Sequence, residues 1–251
     1  MRQEIINKLK EIEKKEKVKI IYAIESGSRA WGFESMDSDY DVRFIYVREK
    51  EDYLRLDEKS NVIELPIDEV FDISGWDIKK ALRLLYKSNP SLLEWFASPI
   101  VYKETKEASY IKEVIPFYFS PKKLYCHYKS MAKQHLKYVN KEMIPVKKYL
   151  YILRCILSSQ YIVDYKKLPP IEIERLIEYE LPKELREDVN SLLMIKKSSD
   201  EKQYVNHMSS LDEFIMNSLE EDTPFIEDRE VSWDRLNDVF RLIIDAYQKS
   251  V

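Results

Sequence analysis

Only three glycines occur in the 251 residues: Gly27, Gly32 and Gly75. Average usage would give about eighteen. A chain this poor in glycine has few points where the backbone takes positive φ or presses closely against a ligand. Where the three are placed therefore marks the turns that matter. Two fall in one six-residue stretch, and none follows Gly75. That stretch comes directly after a β-branched apolar run, residues 18–24 (VKIIYAI), which reads as a buried strand. A second β-rich run, 41–47 (DVRFIYV), follows it.

The rest of the chain sorts around this point. Residues 2–16 carry Ile5, Ile6, Leu9 and Ile12 on one stripe and predict an amphipathic helix. Residues 48–59 are charged and read as a short helix or loop. Two further strands are expected at 61–67 and 69–73, with a turn at 66–68. From Gly75 the periodicity becomes helical, with Ile78, Leu82 and Leu85 at i, i+4 and i+7. Asn89-Pro90 starts another helix, and 105–118 is a weaker one. Ser120-Pro121 is a cap and first-turn proline for a helix expected over 121–143, and Pro145 opens the next. Further helices are expected at 171–179, 182–197, 205–221 and 232–249. The fold class is α+β: a small mixed β-sheet domain over 1–104, then a helical domain over 105–251, packed against the first and lining its cleft.

Composition narrows the function classes. The chain is 45% hydrophobic, which is enough for a core and argues against global disorder. No run approaches 18 apolar residues, so no transmembrane helix is expected. The N-terminal segment lacks an apolar h-region, so no secretory signal is expected either. Cys126 and Cys155 form no CxxC and have no His at ligand spacing. Reduced thiols and a cytoplasmic location fit best. Net charge is −4, which excludes a globally basic nucleic-acid binder. Residues 120–155, however, hold nine basic residues and one acid, a local +8, whereas 171–251 hold twenty acids and ten bases. A local basic face can bind phosphate on an acidic molecule.

The chemistry concentrates in 27–41, GSRAWGFESMDSDYD. A Gly-Ser pair after a strand turns the chain tightly, and the amides that follow, with the Ser28 hydroxyl, can hold phosphate oxygens. Asp39 and Asp41 are two apart on extended backbone, so both side chains project to one face. Paired carboxylates repel unless a cation lies between them, and magnesium prefers a few carboxylates plus water and substrate phosphates. Asp72, placed at the end of the strand EVFDI, reaches that face if its strand is an antiparallel neighbour. Asp77, at a helix start, is the runner-up for this third carboxylate.

Gly27-Ser28, a gap, then Asp39-x-Asp41 resembles the polymerase-beta-like nucleotidyltransferase superfamily. The longer pattern GSRAWGFESMDSDYDVRFIY, then DISGWDIKKALRLLYKSNPSLLEW, then SPIVY, resembles the predicted nucleotidyltransferase family linked to bacterial RNA repair operons. The resemblance is strong over 20–102 and looser around 147–157. It implies a mixed-sheet catalytic domain, two magnesium ions with manganese as a substitute, and transfer of a nucleoside monophosphate from an NTP, ATP first, with release of pyrophosphate. Gly27 and Ser28 would hold the triphosphate, Asp39 and Asp41 both metals, and Asp72 one metal and the attacking hydroxyl.

Other residues read as nucleotide contacts are Arg29 within the motif, Lys80 one turn into the helix after Gly75, and Lys147, Tyr151 and Arg154, which share one helix face with Ser158. Arg43, alternating with Asp41, is read as a partner that keeps the acids ionised. Trp31, Trp76 and Trp95 are read as core packing, and His127 and His135 as surface or acceptor-contacting groups. The acceptor is expected to be an RNA 3′ end bound through 120–155. The alternatives are adenylylation of a protein or small-molecule acceptor, and a nucleotide sensor without turnover.

Overall fold

The computed structural model describes residues 1–66, 70–139, 142–198 and 203–248. Two compact units form, and neither is continuous in sequence. The first comprises 1–27, 39–119 and 230–251; the second comprises 28–38 and 120–229.

The first unit is built on a five-stranded sheet. Its strands are β1 (Lys19–Glu25), β2 (Tyr40–Val47), β3 (Val62–Glu64), β4 (Phe71–Asp77) and β5 (Val101–Glu104), in the order β3-β4-β2-β1-β5. β1 and β2 are antiparallel, as are β1 and β5, and β3 and β4. β2 and β4 are parallel, with Asp41 opposite Asp72 and Phe44 opposite Gly75. β1 is buried from Ile20 to Glu25, as its unbroken apolar run requires of a central strand. Helix α1 (Arg2–Glu16) lays Ile5, Leu9 and Ile12 against Ile20, Ala23, Val42, Phe44, Phe71 and Ile73. Since β2 side chains alternate, Asp41 and Arg43 project from the other face.

Helix α2 (Gly27–Trp31) follows β1, and α3 (Lys50–Tyr53) is a short piece in the charged segment. Helix α4 (Ile78–Tyr86) buries Ile78, Ala81, Leu82 and Leu85 and is capped by Asp77, whose carboxylate accepts the Lys79 N–H. Helix α5 (Pro90–Ala97) is capped by Asn89, which accepts the Leu92 N–H, as its sequence predicts. Helix α6 (Lys106–Tyr118) and the last helix, Asp234–Gln248, complete this unit.

Three expectations are corrected here. The strand pairing that brings Asp72 to Asp41 is parallel, not antiparallel. β4 begins at Phe71 and runs through Gly75 to Asp77, so Asp72 stands at its start and not at its end. The helix read from Gly75 begins only at Ile78. The turn expected at 66–68 lies partly outside the described residues. β5 carries only four residues, none of them fully buried, and has no sequence signal of its own.

The second unit is helical. It holds α7 (Pro121–His135), α8 (Val146–Tyr165), α9 (Ile173–Glu180), α10 (Arg186–Ser198) and α11 (Ser209–Glu220), after which α12 (Asp234–Gln248) returns to the first unit. Ser120 caps α7 by accepting the Lys123 N–H, and Pro121 is its first residue. The helix expected to reach 143 ends at His135, passes into a 3-10 turn over Leu136–Tyr138, and is followed by a two-residue bridge between Ile144–Pro145 and Tyr204–Val205. Helix α8 is buried along most of its length and forms the spine of this unit.

Candidate active site

In the first unit, Asp41 and Asp72 sit directly across from each other on β2 and β4. Arg43 lies between them. Its Nη2 donates to Asp41 Oδ1 at 2.9 Å and to Asp72 Oδ2 at 2.6 Å, and its Nη1 donates to the Asp72 carbonyl at 2.8 Å. One guanidinium thus bridges two converging carboxylates through charge-assisted bonds and leaves the trio one negative charge. Strand alternation thus places Arg43 beside Asp41, on the face expected of it.

The main chain of Asp41 is fixed from both sides. Its N–H donates to Glu25 Oε1 at 2.9 Å, and its carbonyl accepts from Ser26 N–H at 2.8 Å. Glu25 is fully buried at the end of β1. Its Oε2 accepts from the Tyr102 hydroxyl at 2.6 Å, and Ser98 Oγ donates to its carbonyl at 2.6 Å. Burial, then the bond to Glu25, push the Tyr102 phenol well above its ordinary range. Gly27 follows with φ +61°, and a Cβ there would stand 1.9 Å from Asp41 Oδ2. The glycine backbone therefore packs directly on the carboxylate, which no side-chain-bearing residue allows.

Asp39 is half-buried, one residue ahead of β2. Among the described residues, no group of three or more His, Cys, Asp or Glu is arranged to hold a metal. Asp41 and Asp72 nevertheless fit magnesium, which is usually bound by one or two carboxylates with the remaining positions left to water and substrate phosphate. Arg43 already supplies one positive charge between them.

Asp77 is elsewhere. It pairs with Tyr46, five residues along β4 from Asp72 and so about 16 Å away. Its Oδ2 accepts from the Tyr53 hydroxyl at 2.9 Å, and burial raises its pKa. It is a helix cap, and of the two candidates it is Asp72 that stands opposite Asp41. Lys80 lies in the first turn of α4, at this same far end, with its ammonium 5.1 Å from the Trp76 ring centre. It is not brought to the acids. Trp76 stacks on Trp95 at 3.9 Å, as core packing predicts.

In the second unit, α2 carries Ser28 into a cluster of hydroxyls. Ser28 Oγ donates to Ser38 Oγ at 3.3 Å, and the Ser35 and Ser38 hydroxyls are 2.9 Å apart. Lys196, on α10 and fully buried, donates from Nζ to Ser35 Oγ at 2.8 Å. Arg29 turns back on its own loop, with Nη2 donating to the Ser38 carbonyl at 2.6 Å. Arg154, only 4% exposed, stacks its guanidinium 4.4 Å from the Trp31 ring centre and reaches the Ile171 carbonyl. Tyr151 meets Trp31 edge-on at 5.2 Å, and the Lys147 ammonium lies 5.8 Å from Tyr151. Of the residues read as one helix face, Tyr151 and Arg154 thus meet Trp31 of α2, and Arg154 and Ser158 are interior groups, not a solvent stripe.

His127 and His135 are half-buried, each leaving part of its side chain at the surface. His135 lies 5.9 Å from Tyr151; burial, then Lys148 and Lys137, lower its pKa. Of the nine basic residues in 120–155, Arg154 and Lys129 are internal and Lys141 lies outside the described residues. Lys129 donates to the Ser218 carbonyl. Both cysteines are free thiols. Among the described residues, no helix is long and apolar enough to cross a membrane.

Sequence reasoning missed Glu25 and Lys196. Glu25 had one signal, an acid closing an apolar run two residues before Gly27. Lys196 had none, because a lysine near a helix end ordinarily points to water.

Comparison with known proteins gives one relative and one family. The chain is 43% identical over 223 residues to the uncharacterized protein YcgL of Bacillus subtilis (strain 168), covering 88% of this chain and 86% of that protein. Residues 1–242 match the RlaP family, described as the RNA repair pathway DNA polymerase beta family. Parallel strands pairing Asp41 with Asp72 behind a Gly-Ser turn, in a chain matched over nearly its whole length, place it in that polymerase-beta-like nucleotidyltransferase family: the chain belongs to the RNA repair pathway DNA polymerase beta family.

Proposed function

We propose that the chain is a magnesium-dependent nucleotidyltransferase that moves a nucleoside monophosphate from an NTP, ATP first, to the 3′ hydroxyl of an RNA. The Asp41–Asp72 pair, with the Gly27 backbone packed on Asp41, carries this reading. Asp41, Asp72 and Asp39 would hold two magnesium ions, for which manganese would substitute. Magnesium, when bound, neutralises the triphosphate and the charge that develops on the departing pyrophosphate. The chain's own groups position the reaction. The Gly27 amide and the Ser28 hydroxyl bind phosphate oxygens. Arg29, Lys147 and Tyr151 are proposed contacts of the nucleotide, and Arg154 acts by holding Trp31. Glu25 fixes the Asp41 backbone, and Arg43 keeps Asp41 and Asp72 converged. Asp72 orients the acceptor hydroxyl and takes its proton. The acceptor oxygen bonds to the α-phosphorus, the bond to the bridging β-phosphate oxygen breaks, and pyrophosphate leaves.

The test is pyrophosphate release with magnesium and each of the four NTPs, with and without RNAs bearing free 3′ ends. RNA-dependent release that vanishes in Asp41→Asn, at unchanged melting temperature, is the expected result. Release that ignores RNA would transfer the proposal to a protein or small-molecule acceptor. Full release by Asp41→Asn would overturn the mechanism.

A further inference from the structure

Far from the acid pair, the first unit carries two adjoining cavities that the proposed chemistry does not use. One is a small pocket of about 50 Å³ beside the Asp77 end of β4. Arg48, Lys59, Lys79, Lys80 and Arg83 line it against three acids, Asp52, Glu58 and Asp77, a net of +2. Arg48 is only 7% exposed, and its Nε has no hydrogen-bond partner. Its Nη2 donates to the Ser60 carbonyl at 3.4 Å and its guanidinium lies 5.2 Å from the Tyr46 ring centre; the positive charge of this half-satisfied group favours an anion in the pocket it lines. Lys59 and Lys79 are engaged by Asp52 and Glu58 at 2.6 and 3.3 Å, whereas Arg83 is exposed on α4.

The second cavity, about 310 Å³, lies between α4 and α12. It shares Lys79 and Arg83 with the first, and Leu82, Leu236, Phe240 and Trp233 form its apolar wall. The Tyr53–Phe240 edge contact at 5.3 Å separates the two. Trp233 is 42% exposed; it stacks on Tyr86 at 3.7 Å, so one ring face is covered while the ring still borders the cavity.

We infer that this face binds a single-stranded nucleic acid, one base lying in the α4–α12 groove against Trp233 and the neighbouring phosphate held by Arg48 and Arg83. An aromatic platform beside a cationic pocket is the combination that holds unpaired strands. Neither an apolar peptide nor a lipid chain accounts for Arg48. The inference stands on these cavities and not on the acid pair.

The test is binding of a fluorescent eight-nucleotide single-stranded RNA to full-length Asp41→Asn protein in EDTA, where the proposed metal-dependent turnover is silent and any RNA held at the acid site is unchanged by the substitutions below. Trp233→Ala is expected to weaken binding about tenfold. Arg83→Glu is expected to weaken it and to lower the slope of log affinity against log salt by about one. Arg83 is exposed, so this variant keeps the test valid even if Trp233→Ala fails to fold. Absence of binding, or affinity unchanged in Arg83→Glu, overturns the inference. So does AMP binding as tightly as the oligonucleotide, since the occupant would then be a free nucleotide.

Discussion

The three glycines form a set whose alanine variants separate backbone strain from steric contact. Gly32 has φ +81° and only the Glu172 Cβ, at 4.0 Å, near a new methyl. Alanine there meets strain alone, about 1–2 kcal/mol. Gly27 adds contact to strain, because its new Cβ would stand 1.9 Å from Asp41 Oδ2. To reach an ordinary approach of about 3.3 Å, the oxygen must retreat by about 1.4 Å. Asp41 cannot make that move and keep its 2.9 Å bond to Arg43. Overpacking of this kind costs about 1–3 kcal/mol, so Gly27→Ala should lose about 2–5 kcal/mol in all. At roughly 2–4 °C per kcal/mol, it should melt roughly 2–12 °C below Gly32→Ala. The assay is a thermal melt of both variants in one buffer, followed by pyrophosphate release from the folded fraction. Gly27→Ala should release none. Equal melting of the two variants, with release intact in Gly27→Ala, would refute the claim that this backbone rests on the carboxylate.

Other outcomes follow from the same geometry. Asp77→Ala should cost about 1–2 kcal/mol as a lost helix cap yet keep pyrophosphate release, while Asp72→Asn keeps its melting point and loses release; the reverse pattern would make Asp77 the third carboxylate. Lys196→Ala removes a fully buried stem and a charged bond to Ser35 and should lower stability by about 3 kcal/mol, read from the urea midpoint. Burial first, then Asp164, push Glu180 up to about 7 from its ordinary 4.5. The unfolded chain therefore ionises first as pH rises, and the penalty on the fold is absent below about 4.5 and complete above about 7. Glu180→Gln should accordingly raise the melting temperature near pH 8 and lose that advantage as pH falls; a gain independent of pH would disprove the assignment.

The motif was legible because its chemistry is local. Gly27, Ser28, Asp39 and Asp41 sit within fifteen residues, and the alternation of Asp41 with Arg43 gave their common face without knowledge of a partner strand. The pairing of that strand was not legible. Residues 61–73 read as two strands joined by a turn because Pro66 and Asp68 are turn formers, and nothing local distinguishes parallel from antiparallel addition to β2. Gly75 misled for a related reason. It lies in β4 because the Phe44 ring occupies the space where a side chain would be, 2.2 Å from an added Cβ, and that contact spans thirty-one positions of sequence. Glu25 and Lys196 share this character: each is a charged residue whose burial is offset only by partners supplied from elsewhere in the fold.

The chain crosses between its two compact units four times, at 27/28, 38/39, 119/120 and 229/230. No single cut in the gene therefore releases either unit whole. A fragment ending at 119 would carry 28–38 without the helices that bury it and would lack α12. Such a protein cannot be assembled by exchanging contiguous cassettes, as strings of independent modules can. Its helical unit and its sheet must be inherited together, and an engineer who wants to change the helical unit must resurface the existing helices, because there is no seam along which to replace them.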